Sequence, residues 1–126
     1  MQESRTAWIG VDLDGTLACH ETWKGFDYIG PPVPAMVKRV KHWLENGVTV
    51  KIFTARVCEH GQTTVQNNVA TVVDAITPIE NWCLQHLGRK LAVTNAKDFE
   101  MVELWDDRAI QVIANTGEPV LWQEPG

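Results

Sequence analysis

Ala7–Trp8–Ile9–Gly10–Val11, running directly into Asp12–Leu13–Asp14–Gly15–Thr16, is the stretch on which the reading of this chain turns. Residues 7–11 are continuously apolar, the pattern of a strand buried on both faces, as in a parallel sheet covered by helices. The next residues change abruptly to two carboxylates, a glycine and a threonine. In extended backbone, residues two apart point the same way, so Asp12 and Asp14 can face one ligand.

Outward from that strand, Pro31–Pro32 punctuates the chain and Pro34 opens a helix through Asn46. Met36, Val37, Val40, Trp43 and Leu44 form its buried stripe at spacings of three and four, and Gly47 is a stop signal. Residues 48–53 read as a second strand and residues 57–63 as a loop. Val65, Val69, Val72, Val73 and Ile76 predict an amphipathic helix. Thr77–Pro78–Ile79–Glu80 has the form of a capping box with proline at the first helical position. It predicts a new or kinked helix through Trp82, Cys83 and Leu87 to Gly88. Further strands are expected over residues 91–94, 102–105 and 111–113, with a peripheral tail from Thr116. The alternation predicts an α/β fold, a Rossmann-like three-layer sandwich with a mainly parallel sheet of about five strands.

At 126 residues the chain has room for one domain over 1–126 and none for a full cap domain. Its 44% hydrophobic and 21% charged residues exclude a disordered chain. No apolar run approaches the ~20 residues that cross a bilayer, and residues 1–6 lack a signal-peptide pattern. A soluble, cytoplasmic protein without a membrane partner is the expectation. The net charge of −5 argues against a large footprint on a nucleic-acid backbone but leaves room for a local basic pocket. The three cysteines have no zinc-ligand spacing and read as reduced thiols. Of the six tryptophans, Trp8, Trp43, Trp82 and Trp105 sit in apolar runs and read as core.

Chemistry collects after each strand: Asp12–Thr16, then Thr54–Ala55–Arg56, then Thr94–Lys97, then Asp106–Asp107–Arg108. Ligands of open α/β sheets bind outside the carboxyl ends of the strands, and carboxylates with a hydroxyl and an ammonium there suit a phosphate held with a divalent cation. These four groups, in this order, resemble the motifs of the haloacid dehalogenase superfamily, most of whose members are magnesium-dependent phosphatases. Asp12–Leu13–Asp14–Gly15–Thr16 matches its DxDGT signature, Thr54 its strand-end hydroxyl, Lys97 its lysine and Asp106–Asp107 its acidic pair. The matches run from Trp8 to Arg108.

The resemblance implies that Asp12 attacks phosphorus to give an aspartyl-phosphate, as a carboxylate can. It implies that Asp14 is the general acid and then the base. Mg2+ would be held by Asp12, the Asp14 carbonyl and Asp107, with Asp106 further out. Thr54 would donate to a phosphoryl oxygen and Lys97 would offset the charge of transfer. Gly15, Thr16, Arg56 and Lys24 complete the candidate substrate-binding set, with the Gly15 amide on the phosphate. Arg56 and Arg108 read equally as substrate anchors and as salt-bridge partners of the acidic cluster. His42 and His86 read as structural, while His20 and His60 lie in loops that could reach the site.

Two departures from the common family pattern stand out. Only eight residues separate Lys97 from Asp106, too few for a helical crossover, so the fourth strand must be short or entered by an unusual route. Cover for the site must come from residues 18–34, from residues 57–63 or from a second copy in a homo-oligomer. Residues 18–34 carry Trp23, Lys24, Phe26 and Tyr28, of which Trp23, Lys24 or Tyr28 is expected to line the entrance. The leading substrate is a small phosphomonoester such as a nucleotide or sugar phosphate. The alternatives are a phosphatase of nucleic-acid ends and a silent phosphate-binding module.

Overall fold

The computed structural model describes residues 7–57, 62–66 and 69–120. β1 (Trp8–Val11) lies inside a four-stranded, all-parallel sheet with β2 (Thr49–Phe53), β5 (Ala92–Thr94) and β6 (Met101–Trp105), in the order β5-β2-β1-β6. α1 (Pro34–Glu45) joins β1 to β2. A hairpin of β3 (Gln62–Gln66) and β4 (Val69–Val73), followed by α2 (Ile76–Leu87), joins β2 to β5.

Ile9 and Val11 of β1, with Val50 and Ile52 of β2, turn to one face. They pack there on Met36 and Val40 of α1 and on Ile79, Trp82, Cys83 and Leu87 of α2. Full burial of such a side chain is worth ~1.5–3 kcal/mol, so this cluster holds the helices to the sheet. Val37, Trp43 and Leu44 line its margin, which completes the stripe read from the α1 sequence.

Both helices lie on this one face, so the three-layer sandwich expected from the sequence is replaced by two layers. The steps β1 to β2 and β2 to β5 move the same way across the sheet. Crossovers of a single hand therefore put both helices on one side. The return step, from β5 past β2 and β1 to β6, has only residues 95–100. That stretch spans three strand spacings, ~14 Å, and leaves no length for a helix. The chain crosses the second face instead. Asp98 Oδ1 accepts from Trp8 Nε1 at 2.9 Å, and the Trp8 amide donates to Glu100 O at 2.9 Å. Trp8 is thus buried from the side opposite the helices, which accounts for the apolar run of β1 on both faces.

Three further expectations are corrected. The helix expected through Val65–Ile76 is absent; β3 and β4 pair antiparallel there, and the helix proper begins at Ile76. The valines are β-branched and favour extended backbone. The strand expected over residues 111–113 is reduced to one bridge, Val112 to Pro119, so the sheet has four strands rather than five. α2 is capped not through Thr77 but by Asp74, whose Oδ1 accepts from the amides of Ile76 and Thr77 at 3.0 and 3.1 Å. The Thr77 side chain first, and then those amides, hold the Asp74 carboxyl below its usual range. Residues 1–6, 58–61 (with His60 and Cys58) and the tail 121–126 lie outside the described residues. No helix among the described residues is long and apolar enough to cross a membrane.

Candidate active site

Register assembles the site. Val11 pairs with Trp105 and with Ile52, so the chain leaves β1, β6 and β2 at nearly the same level. The Asp12 amide still donates to Trp105 O at 2.9 Å, which sets Asp12 beside Asp106. Leu13 is fully buried, and Asp12 and Asp14 line one cleft, as the two-residue spacing requires. The cleft has a volume of about 680 Å3. Thr54, Asn95, Asp106 and Arg108 line it from the strand ends, and Trp23 and Phe26 from residues 18–34.

Asp12, Asp106 and Asp107 each offer a carboxylate oxygen, and these atoms lie within 4.8 Å of one another. Burial, then the charge of Asp106 and a hydrogen bond that the protonated Asp12 carboxyl gives to Asp107, push the Asp12 carboxyl up to about 7. Crowded anions of this kind fit a hard divalent cation, which takes oxygen ligands and relieves their repulsion. The Asp14 carboxylate stands outside the trio, and Asp106 rather than Asp107 faces the cleft. Asp107 is held beside the pair from the β1 turn, where its amide donates to Thr16 Oγ1 at 3.0 Å. The Thr16 hydroxyl is within bonding distance of Asp12 Oδ2 (3.2 Å) and Asp107 Oδ1 (3.3 Å).

The expected binding residues have the following partners. Thr16 bridges two carboxylates, and the Gly15 amide donates to Ala18 O at 2.8 Å, so both are engaged inside the turn rather than turned to a substrate. Gly15 sits at φ +96°, a backbone conformation that side chains other than hydrogen rarely adopt. Thr54 is buried, and its oxygen accepts from the Arg56 amide at 3.1 Å, leaving the hydroxyl proton for an anion. Arg56 forks onto Asp14, the ion pair named in one of its two readings, and also lines the cleft. Lys24 lies 4.9 Å over the Tyr28 ring and lines a smaller adjoining pocket of about 270 Å3 rather than the main cleft. His20 lines both, with Nδ1 3.7 Å from Asp14 Oδ1.

Lys97 is exposed in the crossing between β5 and β6, and among the described residues no hydrogen bond or ion pair joins it to the acidic cluster. Two arginines line the cleft: Arg56 is paired with Asp14, whereas the Arg108 guanidinium carries no ion pair among the described residues. Asn95 is a wall residue the sequence reading missed; its Nδ2 donates to Val57 O at 2.8 Å. Its place directly after a strand was the available signal. Cys83 is buried, its thiol pushed up to about 11 by loss of water, and Cys19 is a free thiol. Comparison with protein-family models, curated proteins and solved structures finds no match to this chain.

Proposed function

We propose that this chain is a magnesium-dependent phosphomonoester hydrolase of the haloacid dehalogenase type, working through an aspartyl-phosphate on Asp12. The observation that carries the reading is the meeting of Asp12, Asp106 and Asp107 at one end of a cleft whose wall also bears Asp14. A silent phosphate binder has no use for two carboxylates facing its anion.

In this reading the cation is held by Asp12 with Asp106 and Asp107, and when bound it supplies charge neutralisation for the phosphoryl oxygens. Asp12 attacks phosphorus as the bond to the leaving oxygen breaks, and Asp14 gives that oxygen its proton. Water then attacks the aspartyl-phosphate and passes a proton back to Asp14, which restores both carboxyls and releases phosphate. Thr54 and Arg108 anchor the phosphoryl oxygens, the latter in place of Lys97. The aromatic wall of Trp23 and Phe26 favours a small phosphomonoester with an apolar or planar leaving group. A cytoplasmic setting, in which the thiols stay reduced, goes with this reading.

The test is hydrolysis of nucleotides, sugar phosphates and end-phosphorylated oligonucleotides, with and without Mg2+, by the wild-type chain and Asp12→Asn. Cation-dependent release of phosphate that the variant loses supports the proposal. Turnover by the variant equal to that of the wild type removes Asp12 as nucleophile.

A further inference from the structure

Arg56 is only 5% exposed yet carries a full charge, so its partners matter. Its Nε donates to Asp14 Oδ2 at 2.7 Å and its Nη2 to Asp14 Oδ1 at 2.8 Å, a fork that fixes the plane of that carboxyl. The same guanidinium reaches away from the sheet. Nη1 donates to Phe26 O at 3.0 Å and Nη2 to Tyr28 O at 2.8 Å. The Trp23 ring lies against it, 4.8 Å from the guanidinium carbon. Four of the five N–H groups an arginine owns are therefore committed. The base of the 18–34 segment is held separately, by Cys19 N–H on Pro31 O at 2.8 Å and Trp82 Nε1–H on Gly30 O at 2.9 Å. Its tip is tied to the strand ends through Arg56.

We infer that Arg56 is a positioning residue that couples the seating of the 18–34 segment to the orientation of Asp14. The fork uses one lone pair on each Asp14 oxygen and leaves another on each for the cleft. The Phe26 and Tyr28 carbonyls hold the arginine in turn, so Asp14 meets a leaving oxygen only with the loop tip in place. Misplacing a reacting group by ~1 Å costs ~10²-fold in rate, which sets the expected effect. The inference rests on the proposed hydrolase reading, since it concerns the step that protonates the leaving group.

The experiment compares kcat on an alkyl phosphomonoester and on a nitrophenyl phosphate for wild type, Arg56→Gln, Arg56→Lys, Asp14→Asn and the double variant Asp14→Asn/Arg56→Gln. Arg56→Gln should lose ~10²-fold on the alkyl substrate and little on the activated one, which needs little protonation on departure. Arg56→Lys keeps the charge without the fork and should stay defective. The double variant should be no worse than Asp14→Asn alone. Gly25→Ala is a second probe, at a residue that lines neither the cleft nor the adjoining pocket. Gly25 has φ +109° and its carbonyl accepts from the Tyr28 amide, so the variant should show a weaker copy of the same selectivity even if Arg56 variants fold poorly. Hydrogen exchange of the Tyr28 amide should quicken in Arg56→Gln while amides of β1 and β2 keep their protection. Equal losses on both substrates, rescue by lysine, multiplied losses in the double variant or unchanged Tyr28 exchange would each overturn the inference alone. A wild-type chain inactive on every phosphomonoester overturns the hydrolase reading, and the inference with it.

Discussion

Gly15→Ala tests whether the turn after β1 is built around the acidic cluster. At φ +96° the new side chain strains the backbone by about 1–3 kcal/mol. Its Cβ would also fall 2.5 Å from Asp107 Oδ2 and 2.8 Å from Asp107 Cγ, so the carboxylate must move. Moving it weakens the bonds that Thr16 makes with the Asp107 amide and Oδ1, each worth about 0.5–1.5 kcal/mol. Together these give a loss of about 2–6 kcal/mol, or a fall on the order of 10–20 °C in Tm for a chain of this length. A ligand present at 100 times its Kd raises stability by about 2.7 kcal/mol. Wild type should show such a rise with Mg2+, and Gly15→Ala should lose most of it because one of three oxygen donors is displaced. Urea denaturation with and without Mg2+ reads both quantities. The same substitution in an Asp107→Ala background should cost only the backbone strain, since the colliding group is gone. Equal costs in the two backgrounds, with an undiminished Mg2+ effect, would refute the steric argument.

Three other outcomes are expected. Asp12 is raised from 3.8 to about 7, so the metal-free fold favours its protonated form. That contribution is whole below about pH 4 and is lost as pH rises through about 7. Metal-free wild type should therefore lose more stability than Asp12→Asn between about pH 5 and pH 8 in urea titrations; identical pH dependence in the two would refute the assignment. Trp23→Ala should impair the best natural substrate more than a small aryl phosphate, because Trp23 lines the main cleft, whereas Lys24→Ala, on the side pocket, should change little unless the leaving group extends there. Arg108→Ala should raise KM for phosphomonoesters about tenfold with a smaller effect on kcat, while Lys97→Ala leaves both near wild type; the reverse ranking would restore the lysine to the site.

What the sequence made legible was what local pattern decides. The run over residues 7–11, the α1 stripe and the carboxylates after β1 carry their meaning within a few residues, and all reappear as read. The β3–β4 hairpin was misread because Val65, Val69, Val72 and Val73 satisfy helical spacing while belonging to short strands. The competing signal was the richness in valine and threonine on either side of Asn67–Asn68, residues common in two-residue turns. The single helical face was out of reach of any local pattern, because it follows from the order of strands across the sheet.

The absence of Lys97 from the cleft lining and the missing third layer have one origin. The chain must pass from Asn95, bonded to Val57 O, to Asp98, bonded to the Trp8 indole, in three residues. The Trp8 N–H, first among its partners, holds the Asp98 carboxyl below the usual range, and the contact closes the face that no helix covers. A residue inside so short a crossing is drawn away from the carboxyl ends of the strands, and Lys97 is that residue. In the proposed hydrolase reading, the positive charge for the phosphoryl group then has to come from a chain segment that stays at those ends. Arg108 is two residues past Asp106, with its amide bonded to Asp106 Oδ1 at 2.8 Å, and it meets that requirement at the cleft wall. On that reading the short crossing moves the cation from the third strand end to the fourth, and leaves the acidic trio where the register of β1 and β6 had set it.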